Sequence, residues 1–179
     1  MLQHTPSVRH LEIRVSLEQY TKRTHWRYHS AVDRAKASDD IVDRIFKNAL
    51  AGVDTRSPLR SLQVYELDLS TAQVNLRKAV DTSRLQSLGL QKCWHAIDLL
   101  RGIRPTGLPL RMSMHSLSVI GRMYDKEERI DNAIDDLLLS FCGLEPLVIA
   151  GPSQEAHRPA LTSIANHVAT LRHLYLDCV

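Results

Sequence analysis

The stretch from Ser113 to Gly143 constrains the chain most, because its apolar residues recur at Leu117, Ile120 and Tyr124 and again at Ile130, Ile134, Leu137, Leu138 and Phe141. Steps of three and four residues place side chains on one helical face, so the spacing predicts a long helix turned towards a core. Gly143 is placed to end it, since a residue without a Cβ enters the left-handed region cheaply, and Pro146 then prevents resumption. The opposite face carries Asp125, Glu127, Glu128, Asp131, Asp135 and Asp136. The expected element is apolar inside and acidic outside.

What packs against it follows from what the chain lacks. Only 5 % of the 179 residues are aromatic, so the core must be chiefly Leu, Ile, Val, Ala and Met, which suits packed helices better than aromatic-rich strands. The expected architecture is mainly α, a single helical domain over 1–179. It is a bundle of about five to six helices with room for a minor two- or three-stranded element. Residues 1–15 read as an extended arm or short strand, because Leu11, Ile13, Val15 and Leu17 alternate with polar neighbours.

Ser16 with Gln19 makes a capping box that opens a helix over 17–36, and Ser38 with Asp39 caps a short helix stopped by Gly52. The run LQVYELDL over 62–69 is the best strand candidate. Ser70 with Gln73 repeats the capping pattern and predicts a helix over 71–88, with Gly89 beyond it. Leu90, Cys93, Trp94, Ile97 and Leu100 form another helical stripe, and Pro105, Gly107 and Pro109 make 103–111 irregular. PLVIAGP fits a third short strand or a buried bend. Leu161, Ile164, Ala165, Val168, Leu171 and Tyr175 predict a last helix over 158–177. No internal repeat stands out on this reading, and Cys93, Cys142 and Cys178 are expected to be buried, reduced thiols.

No apolar run approaches the roughly 20 residues needed to cross a bilayer, and the start, MLQHTPSVRH, has no apolar signal core. The expected location is therefore intracellular, in the cytoplasm or nucleus, with no membrane partner. With 7 glycines and no GxxxxGK, a phosphate-cradling loop is not expected, nor is any cofactor.

Charge gives the functional expectation. The net charge is +3, but Lys92, Arg101, Arg104, Arg111 and Arg122 face Asp98 alone between 91 and 122, whereas 130–179 is acidic. A second basic segment, KRTHWRYH, sets Lys22, Arg23 and Arg27 beside Trp26, residues suited to gripping a phosphate backbone and stacking on bases. The expected function is a non-catalytic interaction or assembly protein, of the kind small viral or accessory proteins provide. Through these residues it would bind nucleic acid, RNA or DNA, or an acidic protein partner. Its own basic and acidic segments would dock copies into a homo-oligomer that weakens with salt.

The alternative is catalytic. Glu127, Glu128, Asp131 and Asp135 lie at i, i+1, i+4 and i+8 of the central helix, so three carboxylates line one stripe, as in all-helical magnesium-dependent pyrophosphatases, which makes a small phosphohydrolase the rival reading. Such a metal cage needs a facing acidic cluster, for which the sequence offers only Asp39 with Asp40 and Glu66 with Asp68. His25 and His29 stand one helical turn apart, but Trp26 occupies the place of a catalytic glutamate and no third ligand is spaced to join them.

Overall fold

The computed structural model describes residues 9–14, 31–50, 59–103, 114–121, 130–151 and 159–177. Strands and helices alternate in it: β1 (His10–Arg14), α1 (Ala31–Leu50), β2 (Ser61–Tyr65), α2 (Leu69–Ala79), β3 (Ser87–Gln91), α3 (Ala96–Ile103), β4 (Ser116–Ile120), α4 (Ile130–Leu139), β5 (Pro146–Ala150), α5 (Leu161–Ala165) and β6 (His173–Asp177). The six strands form one sheet in chain order, and every neighbouring pair is parallel. This overturns the expected helical bundle and its all-α class. The fold is α/β.

One register runs through the sheet. Leu11, Leu62, Leu88, Leu117, Leu147 and Leu174 stand side by side, as do Ile13, Val64, Leu90, Val119, Ile149 and Leu176. Successive side chains of a strand point to opposite faces, so both rows lie on one face. In β2, β4 and β5 these residues are buried while their neighbours are half-buried. The helices close that face: Leu69, Ala72 and Leu76 of α2, Ala96, Leu99, Leu100 and Ile103 of α3, and Ala133, Ile134, Leu137 and Leu138 of α4 join the same core.

The unit repeats, contrary to expectation. Strands begin at residues 61, 87, 116, 146 and 173, so successive starts are 26 to 30 residues apart. Leu59-x-x-Leu62-x-Val64-x-x-Leu67 recurs as Leu85-x-x-Leu88-x-Leu90-x-x-Cys93, and its first three positions recur at Met114, Leu117 and Val119, at Leu144, Leu147 and Ile149, and at Leu171, Leu174 and Leu176. The backbone repeats with it. The Arg60 carbonyl accepts from Gln86 and Ser87, that of Gln86 from His115 and Ser116, and that of Glu145 from Arg172 and His173, at 2.7–3.1 Å. Units of this kind stacked in chain order form a solenoid, in which each buries its apolar edge against the next.

Several expected helices are therefore strands in part. The stretch 113–143 contains β4, with Leu117 and Val119 buried two apart, and among the described residues its helix is Ile130–Leu139. The helix expected over 71–88 begins at Leu69, on Asp68 rather than Ser70, and ends at Ala79, so that Leu85 and Leu88 belong to the next repeat. Leu90 is a strand residue and Cys93 precedes α3. The last helix shrinks to Leu161–Ala165, and 173–177 is β6. Ser38 caps nothing. It lies buried inside α1, where its Oγ accepts the Asp68 N–H at 2.9 Å. The strand expectations at the N-terminal arm, at 62–69 and at PLVIAGP correspond to β1, β2 and β5.

Candidate interaction surface

The face of the sheet opposite the leucine rows presents three further rows. Ser61, Ser87 and Ser116 adjoin one another, with His10 in register beyond Ser61. Glu12, Gln63, Gly89, Ser118, Val148 and Tyr175 form the second row, and Arg14, Tyr65, Gln91, Ile120, Ala150 and Asp177 the third. Parallel sheets ordinarily have both faces covered. Here β1 keeps His10, Glu12 and Arg14 exposed, and the corresponding residues of β2, β4 and β5 are half-buried.

The second row is smallest in its middle, at Gly89 and Ser118, and large at its two ends, Glu12 and Tyr175. A Cβ on Gly89 would come within 1.7 Å of Gln63 Oε1, so the glycine lets Gln63 lie across β3, where its Nε2 donates to Ser87 Oγ at 3.4 Å. Ser118, Val148 and Ala150 continue this low floor. At one end the Arg14 guanidinium sits 4.6 Å from the centre of the Tyr65 ring and pairs with Glu12 at 2.9 Å. At the other, Tyr175 donates its hydroxyl hydrogen to Asp177 at 3.0 Å. That bond and the Asp177 charge raise the Tyr175 pKa above its ordinary value, so the hydroxyl stays protonated.

The strands end in a repeated tight turn. Glu66 after β2, Lys92 after β3 and Gly121 after β4 have φ of 54°, 53° and 102°, and each donates its N–H to the last residue of the next strand at 2.7–2.9 Å. This register also brings Lys92 Nζ to 3.6 Å from Glu66 Oε1.

Of the residues expected to form a basic site, Lys92 is in this turn with Glu66 as its partner, and Arg101 is exposed in the last turn of α3, within the helical layer. The two belong to different parts of the repeat. Lys22, Arg23, Trp26, Arg27, Arg104, Arg111 and Arg122 lie outside the described residues, as do Glu127 and Glu128 of the acidic stripe. Asp131 falls in α4. Asp135 is engaged in structure: its Oδ1 accepts the Ala160 N–H at 2.8 Å and the Ser163 hydroxyl, which fixes the start of α5. Among the described residues no group of three or more His, Cys, Asp or Glu is placed to hold a metal ion.

Two thiols differ from each other. Cys93 is buried, donates to the Val64 carbonyl at 3.4 Å, and has its pKa pushed up to about 11, first by burial. Cys142 is exposed, against expectation. No helix among the described residues is long and apolar enough to cross a membrane. The chain matches no protein-family model, no curated protein and no solved structure.

Most row residues were missed because they read as polar or small neighbours of apolar ones, while Ile120 and Tyr175 were counted into helical faces. The signal that would have found them is the recurring Leu-x-x-Leu-x-Leu frame, which assigns the residues alternating with its strand leucines to the opposite face.

Proposed function

We propose that the chain is a non-catalytic interaction module that holds an extended segment of a protein partner across the uncovered face of its sheet. What carries this reading is the single register, which aligns two rows of side chains over six strands and a third over four, with no covering layer among the described residues. Solenoids use such extended faces for binding because no one repeat need supply the whole site.

The rows favour a peptide over nucleic acid. They offer hydroxyl, amide and aromatic groups with charges of both signs at opposite ends, whereas a phosphate backbone calls for a continuous basic strip. Tyr65 on β2 and Tyr175 on β6 stand four inter-strand steps apart, about 19 Å at about 4.8 Å per step. That separation is the length of about six extended residues, so a short segment would reach both tyrosines while crossing the low floor.

The test is selection from a random-peptide display library, followed by fluorescence polarisation with the selected peptides on wild type and on Ser118→Arg. An arginine raised from the middle of the floor should weaken binding at least about tenfold, a loss of about 1.4 kcal/mol. Selected peptides that bind the variant as well as wild type, or selective retention of single-stranded oligonucleotide unaffected by it, would refute the assignment.

A further inference from the structure

Of the seven large apolar side chains exposed among the described residues, five, namely Leu161, Val168, Leu174, Tyr175 and Leu176, lie between 161 and 176. Leu174 and Leu176 are the last members of the two buried rows, 49 % and 39 % exposed, whereas Leu147 and Ile149 on the neighbouring strand are 0 % and 4 % exposed. Among the described residues β6 is bonded to β5 alone, so its outer edge presents backbone donors and acceptors beside uncovered leucines. An edge of this kind is a template for another strand. The opposite end of the sheet differs, because Ile13, the equivalent residue of β1, is already only 2 % exposed.

The sequence of β6, His173-Leu174-Tyr175-Leu176-Asp177, is complementary to itself when read backwards. An antiparallel pair centred on Tyr175 sets Leu174 of each copy opposite Leu176 of the other, both on the core side, where cross-strand apolar pairs stabilise. On the other side it sets His173 opposite Asp177 and the two Tyr175 rings together. We propose that β6 pairs antiparallel with β6 of a second copy about a two-fold axis at Tyr175. The product is a closed dimer whose sheet runs through both chains. Head-to-tail addition of β6 to β1 would instead lay Leu176 on a residue already buried, and it would grow without closing. The proposal does not depend on peptide binding.

Sedimentation equilibrium from low to high micromolar concentration tests it. A monomer–dimer equilibrium whose mass is insensitive to sodium chloride is expected, because the contact is apolar and backbone-bonded. Leu176→Glu should weaken the dimer at least about tenfold, since the carboxylate would face a leucine with no partner. Leu174→Lys combined with Leu176→Glu should restore it, because antiparallel pairing brings the new lysine opposite the new glutamate. That rescue also separates a broken interface from a misfolded chain. A monomer at every concentration, open-ended growth, dissociation at high salt, or a dimer indifferent to Leu176→Glu would each overturn the proposal.

Discussion

Replacing His167 probes how the last described repeat is fastened to the one before it. The imidazole is 1 % exposed and packs, tilted by 53°, against Phe141 with ring centres 4.9 Å apart. Its Nε2 lies 2.9 Å from the Leu138 carbonyl and its Nδ1 3.3 Å from the Leu144 N–H, which assigns the neutral tautomer protonated at Nε2. The ring thus serves the C-terminal end of α4, where carbonyls lack helical partners, and the loop that leads to β5. His167→Ala orphans the Leu144 donor, at about 1–3 kcal/mol, and removes an aromatic contact of about 0.5–1.5 kcal/mol. The expected loss is about 1.5–4.5 kcal/mol in urea unfolding at pH 7.5.

Burial lowers the His167 pKa below 6.5, outweighing the opposing effect of the Leu138 carbonyl bond. The unfolded state then binds the proton more readily than the folded one. The stabilisation is complete above pH 6.5 and is lost as pH falls towards the depressed value, at up to about 1.4 kcal/mol per pH unit. His167→Gln keeps a donor and an acceptor but not the titration, so the advantage of wild type over it should shrink on acidification. A loss in His167→Ala below about 0.5 kcal/mol, or a wild-type advantage that does not change between pH 7.5 and 5.5, would refute the reasoning.

Leu138→Ala should cost about 2–5 kcal/mol, because the side chain is 0 % exposed and its removal leaves a cavity between α4 and the sheet; a denaturation midpoint equal to wild type would place the residue outside the core. Iodoacetamide followed by peptide mapping should modify Cys142 in the native protein and spare Cys93 until the chain unfolds, since burial keeps the Cys93 thiol protonated with a pKa of about 11. Equal labelling of the two at neutral pH would contradict the placement of Cys93.

Much of the core was legible before any of the architecture was. Ile134, Leu137, Leu138 and Phe141 are buried as their spacing implied, and β1 and β5 follow runs that allowed a strand. The class was misread for a physical reason. A frame such as Leu85-x-x-Leu88-x-Leu90 contains both a step of three and a step of two, and the first is indistinguishable from the start of a helical stripe. Leucine made the confusion worse at β3, whose Ser-Leu-Gly-Leu-Gln lacks the β-branched and aromatic residues by which short strands are usually recognised. The scarcity of aromatics, taken as a sign of packed helices, is equally suited to stacked repeats whose rows are filled by leucine.

The uncovered face was illegible for a deeper reason. Gly89, Ser118 and Tyr175 share nothing as residues, and only the register places them in one row. The same holds for the turns after the strands. Glu66 and Lys92 are held at positive φ without a glycine, and the register brings their opposite charges together. Gly121 then takes the equivalent place, where a Cβ would meet the Lys92 side chain at 2.9 Å. Binding determinants of a solenoid are thus set by repeat number and phase rather than by local motif. Finding the frame must come before weighing any single charged or histidine-rich segment.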